Sequence, residues 1–178
     1  EGDKNGRGFS EEDKPNFSGS YYSRTKTQIE GILSDFDVLQ LRIRMPLTDV
    51  KDDRNLLEKL LKYKKIISIP NSVTAIPSMM PIARKLIDEN KTGIFNLVNN
   101  GTITHPQLLQ IYEEESGKTL DYEIISLESL GGITRTGRSN CVLSTMKLES
   151  LGIEVPEIKG ATRKCIKDYL IKEREKTK

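Results

Sequence analysis

Histidine and cysteine are almost missing from this sequence: there is one histidine, His105, and there are two cysteines, Cys141 and Cys165. Two thiols 24 positions apart without metal-ligand spacing, joined by a single imidazole, cannot assemble a zinc site of the usual kinds. Both thiols read as reduced and structural or incidental. No apolar run approaches the ~20 residues that a membrane helix needs, and the opening Glu1-Gly2-Asp3-Lys4-Asn5-Gly6-Arg7-Gly8 has no apolar signal region. The expectation is a soluble, cytoplasmic protein with no membrane partner. An excess of one charge is lacking too: 28 Lys and Arg face 26 Asp and Glu, a formal net charge of +2. That is far from the basic balance that phosphate-backbone binding requires, so nucleic acid is not an expected partner. There is no internal repeat and no low-complexity tract.

What is present suits one core with at most a small appended lobe: 178 residues, 30% charged and 35% hydrophobic. Residues 1–19 have loop chemistry, rich in Gly, Ser, Asp, Glu and Lys and ending in Pro15-Asn16-Phe17-Ser18-Gly19. From Ser20, a candidate cap, Tyr22, Ile29, Leu33 and Phe36 recur at helical spacing. Val38 to Arg44 alternates as a strand and stops at Pro46. The alternation continues. Leu56, Leu57, Leu60, Leu61 and Tyr63 predict a helix, Ile66 to Ile69 a strand, and Met79, Ile82, Ala83, Leu86 and Ile87 a helix with Pro77 in its first turn. Ile94 to Val98 is the next strand, and a Thr104-x-x-Gln107 capping box opens a helix that stops near Gly117. Tyr122 to Ile125 predicts a strand, Ser144 to Ser150 a short helix before Gly152, and Ile158 to Lys172 a final amphipathic helix. Strands alternating with helices argue for an α/β fold. The last 20 residues carry eight Lys or Arg against three Asp or Glu. They read as a solvated, fraying helix end with cations at the favourable pole of its dipole, rather than as a basic arm.

One spacing carries chemistry. Tyr22-Ser23-Arg24-Thr25-Lys26 sets a phenol and an ammonium at i and i+4 on a predicted helix, so both project from one face. A nearby ammonium favours the phenolate and draws the Tyr pKa down from ~10, making the phenol a proton donor or acceptor at a carbonyl or alcohol oxygen. Any charged helix can supply this spacing, with the tyrosine in the core and the lysine in solvent, so the flanking sequence has to decide.

That context is Gly8-Phe9-Ser10-Glu11-Glu12-Asp13-Lys14-Pro15-Asn16-Phe17, Ser20-Tyr21-Tyr22-Ser23-Arg24-Thr25-Lys26, Leu41-Arg42-Ile43-Arg44-Met45-Pro46-Leu47 and Ile69-Pro70-Asn71-Ser72-Val73-Thr74, then Gly93-Ile94-Phe95-Asn96-Leu97, Arg138-Ser139-Asn140 and Ser144-x-x-Lys147-Leu148. In this order, from about residue 8 to about residue 170, the sequence resembles the dTDP-4-dehydrorhamnose reductase family of the extended short-chain dehydrogenase/reductases. Within that family it resembles the nucleotide-rhamnose synthase, epimerase-reductase branch. The resemblance implies an NADPH- or NADH-dependent enzyme that reduces a 4-keto-6-deoxy nucleotide sugar to UDP- or dTDP-L-rhamnose, as a homodimer whose interface is not legible here. It implies that Tyr22 protonates the developing alkoxide, that Lys26 holds the nicotinamide ribose and tunes Tyr22, and that Met45 and Pro46 lie against the nicotinamide. Lys59 falls where the bifunctional enzymes keep an acid for 3,5-epimerisation, though an amphipathic helix can carry a solvent lysine there. Arg54 and Asn55, with Arg138, Ser139 and Asn140, match segments that meet the substrate. Arginine suits phosphate oxygens through its planar fork. His105, just inside the capped helix, reads as structural or exposed.

The sequence departs from the family in one respect. No Gly-x-Gly-x-x-Gly occurs in it, and the Ser or Thr of the reductase triad and the cysteine that partners the epimerase lysine are also absent. The expected fold is therefore the C-terminal part of a Rossmann-like reductase, α/β, without the Gly-rich N-terminal half. Residues 1–19 would be a loop, and residues 20–178 the end of the Rossmann sheet plus a small substrate-binding lobe. Because the regulatory beta subunit of methionine adenosyltransferase resembles the same family, the resemblance also admits a non-catalytic binding module.

Overall fold

The computed structural model describes residues 2–131 and 139–176. Ser20 caps α1, Tyr21–Leu33, its hydroxyl accepting from the Ser23 amide at 3.1 Å. The chain turns into β1, Leu39–Arg42, then passes through α2, Leu56–Leu61, β2, Lys65–Ile67, and α3, Ile76–Asp88, to reach β3, Gly93–Asn96. β1 and β3 pair in parallel, Leu39 opposite Gly93 through Arg42 opposite Asn96. The long excursion between them is what a parallel pair demands. Next comes α4, His105–Ser116, which opens on the expected reciprocal box between Thr104 and Gln107 and closes on Gly117 at φ +69°. β4, Glu123–Ile125, runs parallel to β2, and α5, Leu127–Gly131, is a short helix that the sequence pattern did not predict. α6, Met146–Ser150, and α7, Ile158–Lys176, complete the described elements.

Two apolar clusters form. One joins Leu56, Leu57 and Leu60 of α2 and Ile66 of β2 to Leu108, Leu109, Ile111 and Tyr112 of α4 and Ile158, Cys165, Ile166 and Tyr169 of α7. The other packs Met79, Ile82, Ala83 and Leu86 of α3 on Phe95, Leu97, Leu148, Ile153 and Val155. Between them runs a seam of buried polar side chains. The Thr74 hydroxyl donates to the Leu97 carbonyl at 2.8 Å and accepts from the Arg44 amide at 3.0 Å. Asn99 accepts from the Ala75 amide at 2.8 Å and donates to Ser78 at 2.9 Å and to the Pro156 carbonyl at 3.1 Å. Each of these groups would be costly to bury unpaired.

The segment before α1 is tied down by backbone bonds to residues 140–144: Gly2 N–H to Asn140 O at 2.7 Å, Phe9 N–H to Val142 O at 2.8 Å and Ser144 N–H to Phe9 O at 2.9 Å. The buried Glu11 carboxylate accepts from the Asn96 amide at 2.8 Å. Gly8, at φ +72°, comes so near the Ser144 backbone that a Cβ would sit 2.8 Å from its nitrogen, so this approach requires glycine.

Two expectations change. The predicted apolar face of the first helix is not a core face. α1 buries no residue, ends at Leu33 and leaves Phe36 61% exposed in the following turn. A double hydrogen bond ties it to the sheet: Glu30 accepts from Arg42 Nε at 2.7 Å and Nη2 at 2.6 Å. The basic last helix continues past Lys172 to Lys176, with acids beside it holding several of its cations. Arg163 bonds Glu114 and Glu115 of α4, Lys167 faces Glu115 at 3.6 Å, and Lys172 bonds Asp49.

Candidate active site

α1 stands over the free edge of β1, and the space between them is a cleft of about 640 Å³. Tyr22 and Lys26 line it from the helix; Arg42 and Arg44 line it from β1 and the residues just after it; Ser139 and Cys141 close one side. Tyr22 is 70% exposed, and the Lys26 ammonium lies 5.6 Å from the centre of its ring. The i, i+4 spacing thus brings phenol and amine onto one face that opens on a cleft, the tyrosine outside the core. Among the described residues Lys26 has no carboxylate partner, whereas Arg42 is neutralised by Glu30, its pKa raised first by that hydrogen bond.

A second cavity, about 160 Å³, lies on the other side of the chain after β1. Met45, Pro46, Arg54, Lys59 and His105 line it. Met45 takes φ +40°, a left-handed conformation unusual for a side chain of its size, just where the chain leaves β1. That turn sends the chain from Arg44 in the cleft to Met45 in the cavity. Arg54 and Lys59 lack carboxylate partners among the described residues, so the cavity, like the cleft, is electropositive. Behind Lys59 the helix is held firmly: buried Glu58 accepts from the Tyr169 hydroxyl of α7, and burial, then that contact, push the Tyr169 pKa up.

The expected site residues therefore fall into two groups. Tyr22, Lys26 and Ser139 share the cleft, while Met45, Pro46, Arg54 and Lys59 share the cavity. Asn55 is buried as the cap of α2, accepting from the Leu57 and Thr48 amides at 3.2 Å and donating to the Thr48 and Val50 carbonyls at 2.9 Å. Its side chain holds the 48–50 turn beside Arg54. Asn140 is buried next to Ser139, its carbonyl accepting from Asn71 at 3.1 Å. Arg138 lies outside the described residues. Arg44, His105 and Cys141 are among the lining residues that the sequence reading did not assign to the site. His105 is buried in the wall of the Lys59 cavity. Cys165 is different: burial pushes its thiol up to about 12, consistent with a structural role. No group of His, Cys, Asp and Glu able to hold a metal occurs among the described residues, and none of their helices is long and apolar enough to cross a membrane.

No family model matches the chain. It is 37% identical over 169 residues to the bifunctional dTDP-4-dehydrorhamnose 3,5-epimerase/dTDP-4-dehydrorhamnose reductase of Arabidopsis thaliana, covering 94% of this chain and 54% of that protein. The crystal structure of the L780 UDP-rhamnose synthase of Acanthamoeba polyphaga mimivirus superposes at a TM-score of 0.86 with 38% identity, over 91% of this chain and 57% of that one. The chain is homologous to part of both of these enzymes. Its fold is that of the Rossmann-like extended short-chain dehydrogenase/reductases. A dTDP-4-dehydrorhamnose reductase of Bacillus anthracis str. Ames, solved in complex with NADP, shares this fold at a TM-score of 0.75 and 13% identity, covering 89% of this chain and 59% of its own. The chain spans about half the length of these relatives. Within the matched residues, α1 carries the Tyr-x-x-x-Lys pair, β1 runs beneath it, and the Lys59 helix lies beyond the end of β1.

Proposed function

We propose that this chain is the substrate-facing portion of an NAD(P)H-dependent oxidoreductase that reduces a 4-keto-6-deoxy nucleotide sugar, with 3,5-epimerisation, to UDP- or dTDP-L-rhamnose. One observation carries the reading: an exposed tyrosine with a lysine over its ring, both on the wall of an open cleft. Lys26, a cation without a carboxylate, and the Tyr22 hydroxyl fit the ribose end of a nicotinamide nucleotide, which supplies a hydride to the C4 carbonyl when bound. As charge develops on the C4 oxygen, Tyr22 delivers a proton to it. Lys26 stabilises the phenolate that this leaves and holds the ribose hydroxyls. Before reduction the ketone acidifies the protons on C3 and C5; a base supplied from outside these residues takes each proton to give the enolate, and Lys59, lining the neighbouring cavity, returns a proton to the opposite face. Arg54 faces the same space, and Ser139 and Asn140, with Arg138, meet the nucleotide side of the substrate. Met45 and Pro46, at the turn between cleft and cavity, border the nicotinamide. The two electropositive spaces suit a doubly charged diphosphate ligand.

The test follows absorbance of the reduced nicotinamide after full-length protein is mixed with NADPH and the 4-keto-6-deoxy nucleotide sugar. Tyr22→Phe should slow oxidation by about 10²- to 10⁴-fold, the usual worth of a positioned acid. Lys59→Ala should spare reduction of an already epimerised substrate and stop the coupled reaction. Absence of oxidation by the wild type, together with stoichiometric binding to another protein, would instead favour the binding module.

A further inference from the structure

Arg44 and Arg42 lie two residues apart, yet their electrostatic situations are opposite. Arg42 is neutralised by the Glu30 fork. Arg44 has no carboxylate partner among the described residues. Its Nη2 donates to two neutral acceptors, Asn71 Oδ1 at 2.7 Å and the Ser139 carbonyl at 2.9 Å. Its Nε is buried without a partner, and its Nη1 bonds to no described residue. Burial pushes the Arg44 pKa down, the mark of a cation whose charge the fold does not compensate. A half-buried charge left in this state is stabilised when something else supplies the counter-charge.

A second orphan lies beside it. Asn140 is 7% exposed, and its Nδ2 has no partner, while its carbonyl is engaged by Asn71, the same residue that orients Arg44. Both unmet groups are donors, so what this corner of the cleft lacks is acceptor oxygens and negative charge. Lys26, across the cleft, is also a cation without a carboxylate among the described residues. The Asn71 contact and the Ser139 carbonyl fix the plane of the guanidinium, leaving Nη1 for a ligand in the cleft that Arg44 lines.

We propose that Arg44 is a binding residue for a diphosphate in this cleft, with Asn71 as its positioning residue. The inference rests on the reading above that the ligands are nucleotides, and it adds the residue that takes their charge. Two ligands carry the group: the nucleoside diphosphate of the sugar and the dinucleotide.

Calorimetric titration of the full-length protein with UDP, with dTDP and with NADPH separates them, because binding needs no turnover. Loss of a charge-assisted hydrogen bond should weaken the affected ligand by about 10- to 100-fold in Arg44→Met. A loss confined to UDP or dTDP assigns Arg44 to the sugar nucleotide; one confined to NADPH assigns it to the dinucleotide; either supports the proposal. Salt is the second readout. Affinity of the wild type should fall with ionic strength more steeply than that of Arg44→Met, a difference that a merely structural arginine would not produce. Should Arg44→Met fold poorly by circular dichroism, Arg44→Lys keeps the charge without the fork and should show the same preference with a smaller loss. Unchanged affinity and salt dependence for every probe, or a wild type that takes none of them, overturns the proposal. A protein that binds UDP through Arg44 but reduces no ketone keeps the diphosphate site and removes the reductase.

Discussion

Glu30→Gln should loosen the helix that carries Tyr22 and Lys26 while leaving the rest of the molecule in place. α1 buries no side chain, so the apolar packing that anchors α3 and α4 is not available to it. Its specific tie to the sheet is the pair of bonds from Arg42 to Glu30, at 2.7 and 2.6 Å. The two side chains are 20% and 22% exposed, which places the pair between a surface bridge and a buried one. With charge centres about 4 Å apart, as in such a fork, unit charges attract by about 4 kcal/mol at an effective dielectric of ~20. Desolvation offsets much of that, and a glutamine keeps one neutral hydrogen bond, so the net loss should be about 1–2 kcal/mol. Amide hydrogen exchange reads it directly: α1 amides should exchange roughly 5- to 30-fold faster, with α3 and α4 unchanged. Adding Arg42→Met should increase the effect little, because the two residues share one interaction. Unchanged exchange in α1, or equal acceleration in all helices, would refute the reasoning.

Two further outcomes concern the segment before α1. Gly8→Ala forces a side chain to φ +72° with its Cβ 2.8 Å from the Ser144 nitrogen; the Tm should fall by roughly 4–8 °C, for ~2 kcal/mol in a chain of this size. Gly6→Ala, at φ +82° with no atom within 4 Å of its Cβ, should cost less, and equal shifts would contradict the steric argument. Asp13, bonded by Lys4 and by the amide and hydroxyl of Ser10, has its pKa lowered from 3.8 to about 2. A depressed carboxylate stabilises the fold above its unfolded pKa and releases that stability as pH falls through the folded one. The Ser10 amide resonance should therefore move between about pH 4 and pH 2, and Asp13→Asn should abolish that movement.

Much of the fold was legible because its punctuation is local. The Thr104 and Gln107 box, Pro77 in a first turn and Gly117 at a helix end act through neighbours in sequence, and each does in the structure what its chemistry predicts. The apolar periodicity of α1 misled, since spacing reports an amphipathic face and not what the face meets. The site divided in the same way. Tyr22 and Lys26 announce themselves by spacing, whereas Arg44 reads in sequence as one polar residue of an alternating strand. Its distinction, a guanidinium held by Asn71 and Ser139 without an acid, depends on residues 27 and 95 positions away. His105 is similar: a helix cap predicts where its backbone goes, and the cavity shared with Lys59 comes from packing α4 on α2.

The seam of Thr74, Asn99 and Asn71 sets a geometric tolerance for the whole site. Oily surfaces can slide past each other at little cost, but a hydrogen bond weakens steeply once its angle departs from the line of donor and acceptor. A junction stitched by such bonds is stiff in rotation even though few atoms form it, so the chain leaving β1 at Arg44 and the chain leaving β3 at Leu97 keep one mutual angle. Under the function proposed above, a ligand held at Arg44 would thus meet a wall of fixed orientation, and ligands one ring longer or shorter should be sorted by fit before any chemistry begins.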